Sequence, residues 1–332
     1  MSIPAPRNIL CSFHYFRDYN LDQYANLHII GDSGAFSAES QGAKISTADL
    51  AGWAKQWRHR LSWVAALDVI GDPVATRRNW LDMVENHGVP GVPTIHFGED
   101  PSTLDFYAER GVDFVGLGGM VGKHTAKQMR WLITVFRYAR DHHPDMRFHG
   151  WGVTADSVLQ LPFYSVDSSG WTSGLRYGRA TIRDPKSSTD HQIQLNGRDV
   201  FRPAVGRLLI DEYGVNPADV ARSSGENRRL VVKVVSLSAS VQEQRFRRLH
   251  GKIERPAWGR IASMGGVGPG LHLADTAAVN LGWVAEEAAP RLHLANINPQ
   301  LFLDVADEAS GPHLHLAVKE QGDILNAQQE AT

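Results

Sequence analysis

Three aspartates in this sequence each follow a short apolar run: Asp32 in GDSGAF, Asp68 in LDVIGDP and Asp167 in VDSSGW. A carboxylate at the end of a buried segment is partly desolvated and can serve as an acid, a base or a nucleophile toward a sugar anomeric carbon. A carboxylate at the position of Asp68 can also accept two N–H donors from a planar base or a guanidinium-like group. A single Asp before Ser or Gly is more often a turn or a helix cap. Three such residues together indicate an active site more readily than three separate caps.

The elements that must position these residues alternate regularly over the first 170 residues or so. Short apolar runs predict seven strands, at Asn8–Phe13, Leu27–Gly31, Trp63–Leu67, Val92–Ile95, Val112–Val115, Met146–His149 and Phe163–Val166. Amphipathic stretches between them predict helices, at 47 to about 60, 74–86, 102–110 and 125–142. Strands that alternate with helices in this way form right-handed βαβ units and a parallel sheet.

The fold class that this pattern favours is α/β, a TIM-like (β/α)8 barrel with an added C-terminal α-rich segment. Polar residues follow almost every strand, and in a barrel they would gather on the C-terminal rim, where catalytic residues lie. The eighth strand is predicted at Ala180–Arg183 or at Leu230–Val235. We place the catalytic barrel core at 1–185 and the barrel completion with its charged appendage at 186–332.

Charge is distributed unevenly along the chain. The net charge is −2, but 176–260 holds 17 Lys or Arg against 9 Asp or Glu, and 261–332 holds 2 against 9. A basic block beside an acidic tail suggests a surface that faces a polyanion. Solvated faces that pair with each other explain the same pattern equally well.

The cellular setting is predicted from what the sequence lacks. No apolar run is long enough to span a bilayer, and the N-terminus does not resemble a signal peptide, so we expect no membrane contact. Cys11 is the only cysteine, which excludes an intrachain disulfide and a cysteine-rich zinc site. We therefore expect a cytoplasmic protein.

The sequence gives little indication of a metal site or a phosphate-binding site. Among the 15 histidines, His14, His96 and His149 stand near strand ends and could meet, but a metal site is not indicated. The glycine-rich segment 263–270 lacks the Gly-Lys-Ser/Thr of a phosphate-binding loop, so we interpret it as a turn or linker. No metal and no cofactor are predicted.

Six motifs occur in an order that resembles the tRNA-guanine transglycosylase superfamily, barrel enzymes that exchange guanine for a 7-deazaguanine. The motifs are GDSGAF at 31–36, LDVIGDP at 67–73, PTIHFGED at 93–100, GLGGM at 116–120, HGWGVT at 149–154 and VDSSGWTSGLRYGR at 166–179. Each motif is weak alone, and the order over roughly 150 residues is fairly specific.

The resemblance implies roles for individual residues. Asp167 resembles the nucleophile, Asp32 the acid/base beside it, and Asp68 the residue that contacts the edge of the base. Further base contacts would come from other strand-end residues, namely Ser33, His96, Gly118, Gly119 and Trp151. Nucleic-acid contacts would come from basic residues, namely Arg176, Arg179, Arg245 and Arg248.

The departures from the family pattern affect the polymer and the base. His96 stands where the family has Gln, and Ala35 replaces a glycine of the first motif. The tRNA enzymes carry a cysteine-rich zinc site after the nucleophile, which this chain lacks. The pattern is closer to the DpdA-like transglycosylases of bacteria and phages, which insert 7-deazaguanines such as preQ0 into DNA.

The sequence therefore predicts a pentosyltransferase that exchanges guanine in DNA for a 7-deazaguanine through a covalent Asp–sugar intermediate. The expected partners are DNA, the 7-deazaguanine and accessory modification proteins. Three alternatives stay open: a zinc-less enzyme acting on tRNA, an N-glycosidase using water, and a non-catalytic nucleic-acid-binding barrel.

Overall fold

A computed structural model describes residues 3–153, 155–195, 197–222, 228–256, 270–275 and 278–288. Its strands are β1 Asn8–Ser12, β2 His28–Asp32, β3 Leu61–Val64, β4 Thr94–His96, β5 Phe114–Gly118, β6 Arg147–Gly150, β7 Ser165–Ser168, β8 Arg179–Arg183, β9 Asp190–Gln194 and β10 Gly270–Ala274. The seven strands predicted before residue 170 are all present, with ends shifted by a few residues. Buried apolar side chains set these strands, since the burial pattern of β1 and β5 is continuous.

Eight of these strands form one parallel sheet in the order β3-β2-β1-β10-β7-β6-β5-β4. The two edges of the sheet also meet, through a parallel bridge between Ala65 and Val92. Two backbone hydrogen bonds support that bridge, from Ala66 N–H to the Val92 carbonyl and from Val92 N–H to the Val64 carbonyl, both at 2.8 Å. The result is a curled α/β sheet compatible with a TIM-like fold. Because a bridge and not a ladder joins β3 to β4, the fully closed (β/α)8 barrel stays a prediction.

The helices are α1 Phe13–Phe16, α2 Ala35–Ser40, α3 Thr47–Gln56, α4 Pro73–Leu81, α5 Thr103–Ala108, α6 Thr125–His142, α7 Ser173–Tyr177, α8 Pro203–Asp211, α9 Pro217–Ala221, α10 Arg228–His250 and α11 Ala278–Ala288. Local capping explains where the longer early ones begin. The Ser46 hydroxyl accepts the Asp49 N–H at the start of α3, and the Asp72 carboxylate accepts the Ala75 N–H at the start of α4. None of the helices in the described part of the chain is both long enough and apolar enough to cross a membrane.

The inner face of the sheet packs on itself. One buried cluster combines side chains from strands far apart in the sheet order, namely Leu10, Ile30, Trp63, Val92, Phe114 and Tyr164. The rings of Trp63 on β3 and Phe114 on β5 lie 5.2 Å apart in an edge-to-face contact. Burying each large apolar side chain of this kind stabilises the fold by about 1.5–3 kcal/mol. This inner cluster therefore holds the sheet in its curled form, below the end where the aspartates lie.

Both candidates for the eighth strand of the main sheet were wrong. Ala180–Arg183 lies in β8, which pairs antiparallel with β9 in a separate two-stranded sheet. Leu230–Val235 lies inside α10, where tertiary packing overrides the strand preference of its valines. The eighth strand is β10, inserted between β1 and β7. Its first residue, Gly270, is the last residue of the segment 263–270, which the sequence analysis interprets as a turn or linker.

The described residues up to Ala288 form one compact unit. The segment after 185 contributes β10 to the main sheet and supplies α8, α9, α10 and α11. The boundary at 185 stays a prediction. Most of the glycine-rich segment and the acidic tail beyond 288 lie outside the described residues.

Candidate functional site

The strand-end aspartates come together at the carboxyl end of the parallel sheet. Asp32 is the last residue of β2, Asp167 lies near the end of β7, and Asp68 follows β3. Parallel strands bring these ends to one edge of the sheet. The negative charges of Asp68 and Asp167 both act on Asp32, so the three carboxyl groups share one site.

Two of these carboxyl groups have pKa values near neutral pH. Burial, followed by the charges of Asp68 and Asp167, raises the pKa of Asp32 from 3.8 to about 7. Burial also raises the pKa of Asp167 from 3.8 to about 7, although the Gly152 N–H opposes the shift. Groups with such pKa values can give or accept a proton at neutral pH.

Asp68 is held by the other predicted contact residues. The Ser33 hydroxyl donates to Asp68 Oδ1 at 3.0 Å, and His96 Nε2 lies 3.7 Å from Asp68 Oδ2. His96 Nδ1 lies 3.4 Å from a carboxylate that the sequence analysis missed, that of Glu99. Burial alone would lower the pKa of His96, but these two carboxylates raise it to about 9. His96 is thus an imidazolium at neutral pH, buried between two acids.

Asp167 has two partners that the sequence analysis did not assign to it. Its Oδ1 accepts the Gly152 N–H at 2.9 Å and lies 3.3 Å from His149 Nε2. The other ring nitrogen of His149 lies 2.8 Å from the Ser165 hydroxyl. Alternation offered a signal: Ser165 and Asp167 lie two apart on β7 and so face the same side.

Trp151 is partly buried and packs against the inner cluster of the sheet. Its indole N–H donates to the Thr94 hydroxyl at 3.0 Å, and its ring lies 4.2 Å from the His149 ring. Glycines on β5 make room for it, since a Cβ at Gly116 would lie 2.1 Å from the indole nitrogen and one at Gly118 would lie 3.3 Å from its ring. The contact of Trp151 with the base stays a prediction.

Gly118 and Gly119, which are also predicted to contact the base, have structural roles in the backbone. The Gly118 carbonyl accepts the Phe97 N–H at 2.8 Å, so that oxygen is already engaged. Gly119 has φ +71°, a conformation that favours glycine, and a Cβ there would lie 3.2 Å from the Phe97 nitrogen. These two glycines shape the loop after β5, and their contact with the base stays a prediction.

Gly116→Ala is expected to lower the free energy of unfolding by roughly 2–3 kcal/mol, because the added methyl must displace the Trp151 indole. Urea unfolding of the two proteins measures the change. The matched control is Gly52→Ala on α3, where an added Cβ meets nothing within 4 Å. That control should gain about 0.5–1 kcal/mol. Equal stability of the two variants would contradict the placement of Trp151.

The four predicted phosphate-binding arginines do not share one surface. Arg176 on α7 and Arg179 on β8 are exposed and follow Asp167 closely in the chain. The Arg245 guanidinium is instead engaged within the protein, donating to Asp190 Oδ1 at 2.7 Å and to two carbonyls of the loop between β8 and β9. Its geometry does not support the predicted phosphate contact.

Arg248 is exposed, but it lies toward the end of the sheet where the strands begin, away from the aspartates. It follows Glu243 and Arg247 on α10, which contact Asn8 at the start of β1 and approach Gly270 at the start of β10. Strand starts lie opposite the aspartates. The predicted nucleic-acid surface next to the site is thus reduced to Arg176 and Arg179.

Within the described ranges, no three His, Cys, Asp or Glu side chains form a group that could hold a metal ion. His14 instead pairs with Gln41, and His149 with Asp167. Comparison of the sequence with models of known protein families gives no match, and comparison with curated proteins gives none either. Function must therefore be argued from the geometry and the motif resemblance.

Proposed function

We propose that this protein is a base-exchange transglycosylase that replaces guanine in DNA with a 7-deazaguanine of the preQ0 class. The observation that carries the proposal is the placement of Asp32 and Asp167 at the same end of the sheet, where burial raises the pKa of each carboxyl group to about 7. One ionised and one protonated carboxyl group are what a covalent glycosyl transfer needs at neutral pH. The ordered motif resemblance supplies the choice of base and polymer.

The chemistry follows in two balanced steps. The target nucleotide first leaves the helical stack, because its C1′ is closed to in-line attack in a paired duplex. Asp167 bonds to C1′ as the glycosidic bond breaks, and the departing guanine takes the proton of Asp32. The incoming base then gives its N9 proton to Asp32 and bonds to C1′, which releases Asp167 as a carboxylate. No redox change and no net proton transfer occur.

Recognition of the base falls to the groups beside the aspartates. Asp68 is ordered by the Ser33 hydroxyl and can accept N–H donors from the edge of a guanine-like ring. The His96 imidazolium, whose ring nitrogens lie 3.7 Å from Asp68 and 3.4 Å from Glu99, can present its positive charge to an acceptor on the base. An amide-like edge with donors and an acceptor fits this arrangement.

The surroundings of the site fit an extended polymer. Exposed apolar side chains occur on loops and helices after β2, β3 and β5, namely Phe36, Val74 and Val121. Apolar side chains at such positions can fill the space that an extruded base leaves. Exposed Arg176 and Arg179 supply positive charge for phosphates. The cysteine-poor sequence, which lacks the zinc motif of the tRNA enzymes, favours DNA over tRNA.

Incubation with radiolabelled preQ0 or guanine tests the proposal, with plasmid DNA and bulk tRNA as acceptors and Asp167→Asn as the inactive control. We expect label in DNA only, and none with the variant. Label in tRNA alone would transfer the proposal to a zinc-less tRNA enzyme. Release of free guanine without incorporation would show an N-glycosidase. A folded protein that neither incorporates label nor releases guanine would overturn the proposal.

A further inference from the structure

The nucleophile candidate is the end of a buried hydrogen-bonded chain. Ser165 Oγ lies 2.8 Å from His149 Nδ1, and His149 Nε2 lies 3.3 Å from Asp167 Oδ1. The His149 side chain has no exposed surface, and that of Asp167 is 10% exposed. The chain therefore runs from inside the curled sheet to the carboxylate at its open end.

Only one arrangement of protons satisfies this chain when Asp167 is ionised. Burial lowers the pKa of His149 to about 3, so the imidazole is neutral and carries one N–H. A carboxylate accepts hydrogen bonds only, whereas a serine hydroxyl can also donate. The single N–H must then be on Nε2 and point to Asp167, while Ser165 donates to Nδ1.

The ring has little freedom to turn away from Asp167. The Trp151 ring lies 4.2 Å and the Trp63 ring 4.9 Å from the His149 ring, both at steep angles. The His272 ring on β10 follows at 6.2 Å. Close packing of this kind keeps a side chain in one rotamer, so Nε2 stays directed at the carboxylate.

The two aspartates with raised pKa values differ in the donors they receive. Asp167 Oδ1 receives two, from His149 Nε2 and the Gly152 N–H. Asp32 Oδ2 receives the Gly34 N–H at 3.0 Å, and the Ser12 hydroxyl beside it also lowers the pKa of Asp32. Hydrogen bonds to the charged form favour ionisation. Asp32 in addition experiences the negative charges of both Asp68 and Asp167, which raise its pKa, so a proton shared between the two carboxyl groups goes to Asp32.

We propose that His149, oriented by Ser165, is a positioning residue that keeps Asp167 ionised and so makes Asp32 the proton carrier. The inference rests on the proposed function for its catalytic meaning, while the order in which the two carboxyl groups titrate can be measured without any reaction. Both donors act on Oδ1, which makes Oδ2 the oxygen that bonds to C1′. Asp32 interacts with Asp167 and also experiences the charge of Asp68, while His149 interacts with His272, on which Arg247 and His28 act in turn.

The test is a carboxyl carbon NMR titration of protein labelled at aspartate, with the two signals assigned through Asp167→Asn and Asp32→Asn. In the wild type, Asp167 should titrate at a lower pH than Asp32. His149→Phe removes the donor and should raise the pKa of Asp167 by roughly one to two pH units, reversing the order. His149→Gln offers an amide N–H at the same place and should restore most of the wild-type order.

Two further variants separate positioning from general disturbance of the interior. Ser165→Ala removes the hydroxyl that donates to His149 Nδ1, so the imidazole N–H is no longer fixed on Nε2. This variant should raise the pKa of Asp167 by about half as much as His149→Phe. His272→Gln, another buried histidine of the interior, should change it by less than about 0.3 pH unit. Equal effects of His149→Gln and His149→Phe, or no effect of either, would overturn the inference.

The activity readout keeps this inference apart from the proposed function. If exchange occurs, the acid limb of its pH profile should move upward in His149→Phe by the same amount as the Asp167 signal. If the wild type exchanges no base, the proposed function fails while the titration still decides the role of His149. If exchange occurs and its acid limb does not move, the positioning role is refuted although the function stands.

Discussion

Asp167→Asn is expected to lower base exchange by roughly 10⁴-fold or more while raising the free energy of unfolding at pH 8 by about 1–3 kcal/mol. The loss follows because an amide cannot form the sugar ester. The gain follows because the wild type must hold a carboxylate in a desolvated site, where burial has raised its pKa to about 7. Exchange assays and urea unfolding at several pH values measure the two effects.

The pH dependence of this gain has a definite sign. The unfolded state releases the Asp167 proton near pH 3.8, the folded state near pH 7, so wild-type stability falls as the pH rises between these values. The variant lacks that fall, and the two proteins should differ little near pH 4. The pKa of Asp32 should also decrease in the variant, because a negative charge beside it is gone. The new Asn amide N–H groups lack a partner, which limits the gain.

Asp18→Asn is the matched control, since its side chain is 84% exposed and pairs with the neighbouring Arg17 at the surface. It should leave both exchange and stability unchanged within about 0.5 kcal/mol. If Asp167→Asn is less stable than the wild type at pH 8, the conclusion that Asp167 lies in a desolvated site is wrong. Retained exchange would remove Asp167 from the role of nucleophile.

The sequence predicted the parts of the fold that local patterns determine. The predicted helix 125–142 coincides with α6, because its apolar spacing and flanking residues are all local signals. Each of the seven early strands was found for the same reason. Asp32, Asp68 and Asp167 were placed at one edge because parallel strands point their carboxyl ends the same way.

The remaining features depend on contacts that no local pattern contains. β10 pairs with β1 and β7, which precede it by more than 100 residues, and its five residues lack a strong strand signature. The sequence predicts that Arg245 binds a phosphate, but in the structure Arg245 donates to Asp190, which is 55 residues away. The link between His149 and Asp167 likewise needs the register of β6 against β7. A charge count cannot separate arginines that face solvent from those that hold a hairpin.

His96→Gln is expected to lower the free energy of unfolding by about 2–3 kcal/mol near pH 6, with the difference closing toward pH 10. The flanking carboxylates of Asp68 and Glu99 raise the pKa of His96 to about 9, well above the usual 6.5. A group with a raised pKa stabilises the folded state fully below its unfolded value and loses this contribution as the pH rises through its folded value. The variant has no imidazolium, and its two acids face each other without a cation.

Urea unfolding at about pH 6, 8 and 10 measures this profile, and His59→Gln is the matched control. His59 also contacts a carboxylate, that of Asp22 at 2.9 Å, but its side chain is 60% exposed, so its replacement should cost less than about 0.5 kcal/mol at each pH. A constant difference between wild type and His96→Gln across the range would show that His96 acts through packing alone. A difference that closes above pH 9 would show a buried cation between Asp68 and Glu99. A base with an acceptor group could then bind to that cation, and His96→Gln should weaken the binding most below pH 9.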